Sequence, residues 1–75
     1  MRDHLTLLAA ILAAANGATG YTIQEETGMK PSTFDRKTLI LLKAGAVEED
    51  AGRWTITAKG RRLLAQIAAI NEDLQ

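Results

Sequence analysis

The chain has 75 residues, 47% of them apolar and 24% charged, with no Cys, one His and a formal net charge of zero. A length of this order sets one domain, residues 1–75, that buries about 60% of its unfolded surface and has a thin stability margin. The missing Cys excludes disulfide support, the lone His4 excludes a histidine-built metal site, and neutrality excludes a binder that works by net positive charge alone.

Asp3 stands where it can cap a first helix over residues 4–15. Leu5, Leu8 and Leu12 recur at helical spacing, and Leu7 and Ile11 widen the stripe. Alanine, the strongest helix former, fills most of the remaining positions. This apolar stretch is too short to span a bilayer, and no secretory leader pattern is present, so a cytoplasmic protein without membrane contact is expected. Asn16-Gly17 supplies the stop, with Gly17 suited to a left-handed conformation just past the helix end.

Residues 18–21 form a connector or a short strand. Thr22-Ile23-Gln24-Glu25 has the spacing of a capping box and is expected to open a short second helix that ends at Thr27-Gly28. Met29-Lys30-Pro31 is a turn, and the third helix is expected after Pro31, because proline has no N–H to donate inside a helix. Ser32 is the expected cap. Asp35 is expected to fold back onto that cap and to favour the positive helix end. Phe34, Thr38 and Leu41 share one face of this helix, and Gly45 closes it.

Beyond Gly45 the period changes. Residues 46–50 and 53–57 have strand character, the second clearly alternating, with Ala51-Gly52 between them as a tight turn. Trp54 and Ile56 point to one side, Arg53 and Thr55 to the other. Thr57 caps a last helix over residues 58–73, whose stripe is Leu63, Ile67, Ile70 and Leu74. The expected fold class is mainly α with a small β-hairpin, in the order helix, (strand), helix, helix, strand, strand, helix.

Charge is unevenly spread along this order. Lys30, Arg36, Lys37 and Lys43 gather around the third helix with only Asp35 against them, and Arg61-Arg62 follow later. Acids cluster at Glu25-Glu26, Glu48-Glu49-Asp50 and Glu72-Asp73.

Three segments carry a family likeness. They are Thr27-Gly28-Met29-Lys30-Pro31-Ser32-Thr33-Phe34, then Leu41-Leu42-Lys43-Ala44-Gly45-Ala46-Val47-Glu48, then Gly52-Arg53-Trp54-Thr55-Ile56-Thr57-Ala58-Lys59-Gly60. In this order and spacing they resemble the winged helix-turn-helix domain of MarR- and PadR-like transcriptional regulators, over a core of about residues 5–65. The chain departs from that family at Gln24, at the apolar Leu39, Ile40 and Leu42, and in the acidic first strand of the hairpin. The resemblance implies a small sequence-specific DNA-binding protein that regulates transcription, with helix 32–44 in the major groove of double-stranded DNA. A recognition helix sets its amino-terminal residues against base edges. That implies contacts from Ser32, Thr33, Arg36 and Lys37, with Arg36 able to pair guanine bidentately. Lys30 in the turn and Lys37 suit phosphates, and Arg53 at the hairpin is the wing's one good phosphate candidate.

An enzyme is not expected. No Gly-rich loop follows a buried strand, Ser32 has no base near it in the sequence, and a carboxylate cluster on a tight hairpin lacks pocket walls to perturb it. No cofactor and no small-molecule ligand is expected either. Leu39, Ile40, Leu41 and Leu42 cover nearly a full helical turn, more than one buried face can hide. Together with the broad apolar arcs of the first and last helices, they point to an interface. The expectation is a homodimer through those two helices, presenting two recognition helices to half-sites one DNA turn apart. The other reading is a winged-helix module for protein–protein contact, docking through the acidic hairpin and Leu39, Ile40 and Leu42.

Overall fold

The computed structural model describes residues 3–73, with side chains as far as residue 70. In chain order the elements are α1 (His4–Ala14), β1 (Asn16–Thr19), α2 (Gly20–Thr27), α3 (Pro31–Lys43), β2 (Val47–Asp50), β3 (Arg53–Ile56) and α4 (Ala58–Asp73). The result is a small α+β domain in which four helices pack with a three-stranded antiparallel sheet of order β1-β3-β2.

Local chemistry explains most of the boundaries. Asp3 caps α1 as expected, its Oδ1 accepting from the Thr6 N–H at 2.8 Å. The β2–β3 hairpin closes through Ala51-Gly52, both at positive φ (53° and 79°), as a type I′ turn requires. The register then runs Val47↔Ile56, Glu48↔Thr55, Glu49↔Trp54 and Asp50↔Arg53. Trp54 is buried and Ile56 half-buried, while Arg53 and Thr55 face solvent. Thr57 caps α4: its Oγ1 accepts from the Gly60 N–H at 3.0 Å and its hydroxyl donates to the Gly45 carbonyl at 2.6 Å.

Three boundaries differ from expectation. First, α2 starts two residues before Thr22, and its cap is Thr19, whose Oγ1 accepts from the Thr22 N–H at 3.2 Å. The reason is tertiary: residues 16–19 pair with β3, so Thr19 is the last extended residue before the chain turns into the helix. Second, Pro31 is itself the first residue of α3. A first-turn N–H has no helical partner, so proline loses nothing there. Lys30 is therefore the cap residue, without a side-chain cap bond; Ser32 does not cap, and Asp35 is exposed instead of folded back. Third, Gly17 lies within β1 and not at the end of α1. Its φ of 91° falls at the irregularity between Asn16 and Ala18 in the pairing with β3.

The core draws on every layer. Leu8, Ile11 and Leu12 come from α1, Ile23 from α2, Phe34 and Leu41 from α3, Val47 and Trp54 from the hairpin, and Ile67 from α4. Phe34 and Trp54 meet edge to face with ring centroids 5.7 Å apart and planes at 85°, the arrangement favoured by the ring quadrupoles. Thr38 shares the buried face of α3, and its hydroxyl is satisfied by the Phe34 carbonyl at 2.8 Å. In the stripe expected for α4, Ile67 is buried and Leu63 half-buried, Ile70 is exposed, and Leu74 lies outside the described residues.

Candidate nucleic-acid interface

The candidate site is built on α3. Its inward face is fixed by Phe34, Thr38 and Leu41, all buried. At 3.6 residues per turn, the opposite face is the row Ser32, Arg36, Leu39 and Lys43, spaced by three or four residues. All four are exposed. A flanking row, Thr33, Lys37 and Ile40, runs beside it; Thr33 and Lys37 are half-buried and Ile40 is exposed.

Lys30, Thr33, Arg36 and Lys37 line one shallow depression together with Leu7, Thr27, Gly28 and Met29. The turn between α2 and α3 makes this possible. Gly28 ends α2 in the left-handed conformation at φ 71°, and Met29 is buried as an anchor. Lys30 is thereby delivered to the base of α3. Four of the six residues expected in the site thus share one surface, and Ser32 lies beside them on the outward row.

Two long-range contacts shape this surface. The Lys37 ammonium donates to Nδ1 of His4, at 2.7 Å, across 33 positions of sequence. This ties the middle of α3 to the start of α1 and directs Lys37 sideways. Arg53 stands apart from the other five on β3. One of its guanidinium N–H groups donates to the Gly17 carbonyl at 2.9 Å, holding the side chain along β1, although the residue remains exposed. The sequence shows no sign of the bond between His4 and Lys37, because no local pattern announces a partner so far along the chain.

The acids of the hairpin, Glu48, Glu49 and Asp50, are exposed on β2. The Asp3 carboxyl is held below its ordinary value. The Thr6 main-chain N–H, followed by the Thr6 side chain, keeps it below 3.8. Among the described residues no group of His, Cys, Asp and Glu is arranged to hold a metal ion. No described helix is long and apolar enough to cross a membrane.

No protein-family model matches the chain, and no curated protein matches it.

Proposed function

We propose that the chain is a winged helix-turn-helix domain that binds double-stranded DNA in a sequence-specific way and regulates transcription, acting as a homodimer through α1 and α4. In this reading α3 enters the major groove and the β2–β3 hairpin lies beside it as the wing. The observation that carries the reading is the exposed amino-terminal part of α3. Arg36 and Ser32 stand on its outward row, and Lys30, Thr33, Arg36 and Lys37 line one surface.

Each residue then has a chemical role. Arg36 offers the planar, two-pronged donor that matches the O6 and N7 acceptors of guanine. Ser32 and Thr33 offer hydroxyls that serve either a base edge or a phosphate. Lys30 and Lys37 supply charge for phosphates, and the free N–H groups at the start of α3 add to the attraction. Phosphate contacts set the register and base contacts set the sequence.

A salt titration on duplex DNA tests this. Log affinity is expected to fall linearly with log salt, with a slope that reflects a handful of phosphates. Arg36→Ala is expected to cost about 1–3 kcal/mol and to relax base preference at one position, whereas Lys30→Ala should weaken all sequences alike and reduce the slope by about one. Absence of any duplex binding at low salt would falsify the reading. The acidic β2 strand and the exposed Leu39, Ile40 and Leu42 favour the protein-contact module in that case.

A further inference from the structure

Leu39 and Ile40 are half exposed on α3, at 50% and 43%. They lie off the buried face of this helix, which is Phe34, Thr38 and Leu41. Leu39 lies one helical turn beyond Arg36 and one turn before Lys43 on the outward row. Ile40 continues the flanking row of Thr33 and Lys37. The apolar pair is therefore bracketed by three cations, with Asp35 the single acid of α3. That bracket narrows the occupant. A purely apolar surface laid on this face would strip water from the exposed Arg36 and Lys43 without pairing them, and from Lys37, whose ammonium has His4 as a partner, at a cost that apolar contact does not offset. A surface that is anionic at its edges and carries methyl groups at its centre satisfies both kinds of residue at once. The major groove of DNA is such a surface, because phosphates flank it and each thymine projects a C5-methyl into it.

Resting on the DNA-binding reading above, we propose that Leu39 and Ile40 read a pyrimidine C5-methyl group in the major groove, so that the preferred site carries a thymine or a 5-methylcytosine next to the base pair met by Arg36. Spacing supports the adjacency. Three residues of helix advance about 4.5 Å, close to one base step of about 3.4 Å along a strand. Arg36 and Leu39 thus address neighbouring steps and not the same pair. A polar residue at either position would be hydrated in the free protein and gain nothing from a methyl. An aliphatic one leaves water on contact, which gives a gain of about fourfold in affinity for each methyl removed from water.

The experiment uses the full chain and a pool of random-sequence duplexes from which binders are selected at low salt. The selected duplex is then made in four forms: with thymine, with uracil replacing thymine, with each T·A pair replaced by 5-methylcytosine·guanine, and with each replaced by plain cytosine·guanine. The thymine form is expected to bind about fourfold more tightly than the uracil form per contacted methyl. If the methyl alone is read, the 5-methylcytosine form should exceed the plain cytosine form by a similar factor; a gain for thymine only restricts the proposal to thymine. The Leu39→Ala, Ile40→Ala double variant, whose changes lie at exposed positions, should lose the thymine-over-uracil preference while its salt slope stays unchanged. Equal binding of thymine and uracil duplexes by the unmodified protein overturns methyl readout and leaves the DNA-binding reading standing. Failure of every duplex to bind removes both and assigns the apolar pair to a protein partner.

Discussion

Ala51 holds a φ of 53° although it carries a Cβ, because the type I′ turn demands positive φ at both central positions and Gly52 can relieve only one of them. The left-handed region costs an L-residue about 1–2 kcal/mol, a cost that Gly avoids and Asn reduces. Ala51→Asn and Ala51→Gly are therefore expected to stabilise the fold by about 0.5–1 kcal/mol, read as a raised denaturant midpoint at unchanged m-value. Gly60 presents the opposite case. It is buried in the first turn of α4, where an added Cβ would overlap the Ala46 carbonyl oxygen and come within 2.8 Å of Ile56 Cγ1. Backbone cannot yield as a flexible side chain can, so Gly60→Ala is expected to destabilise by about 1–3 kcal/mol or more, through overpacking alone. Asp3 adds a dependence on acid. Its folded-state pKa lies below 3.8 because Thr6 bonds the ionised form. The contribution is thus present above the unfolded value and is lost as pH falls through the folded one. Asp3→Asn keeps a capping oxygen without a titrating group, so its stability should fall less than that of the unmodified protein as pH drops from 5 to 2.

At the scale of elements, α4 depends on Thr57, which both caps the helix and ties it to the Gly45 carbonyl at the exit of α3. Thr57→Ala is expected to cost about 1–2 kcal/mol, whereas Thr57→Ser, which keeps both bonds, should stay near the unmodified protein in thermal unfolding. The Thr57–Gly60 cap bond spans three positions, which is why the α4 cap, like the Ala51-Gly52 turn and the Phe34/Thr38/Leu41 face, was legible from the chain alone, whereas the Thr57–Gly45 bond spans 12. Elements set by distant pairing were not. Thr19 and Thr22 lie three residues apart and both can cap a helix; the pairing of β1 with β3 selects Thr19. The position of Arg53 follows from the same pairing, since its acceptor is the Gly17 carbonyl of a four-residue strand interrupted by a glycine irregularity. The candidate site divides along the same line. The row Ser32, Arg36, Leu39 and Lys43 follows from helical spacing, but the tether from Lys37 to His4 joins elements that only the packed core brings together.

The whole molecule exposes 4891 Å², and the distribution of its apolar part bears on assembly. α1 packs on α2, α3 and α4 through Leu8, Ile11 and Leu12. Its other side is nearly all small residues: Ala9, Ala10, Ala13 and Ala14 line a shallow groove with Thr6 of the same helix, Glu26 and Thr27 of α2, and Leu64 of α4. Leu5 and Ile70 remain 37% and 44% exposed on these two helices. Small residues let a second helix approach closely, so a symmetric pairing of this face with its copy removes apolar surface, with Glu26, exposed in the same groove, as the charge that must keep its water. A specific interface needs about 1,000 Å² in total, about a tenth of each chain's exposed surface, an area that two such helices can supply. Sedimentation at about 100 µM is therefore expected to give twice the 8.1 kDa chain mass. Ala13→Glu places a charge on the exposed side of α1, with little reason to unfold the chain, and should shift the species to the monomer with unchanged circular dichroism. On the proposed DNA-binding reading the consequence reaches DNA, because a dimer would engage two half-sites and the monomer one. Ala13→Glu should then bind a single half-site as the unmodified domain does. On a two-half-site duplex it should lose the added affinity and about half of the salt slope. A species of 8.1 kDa for the unmodified protein, or an Ala13→Glu variant that sediments and binds paired half-sites like its parent, removes α1 and α4 as the seam.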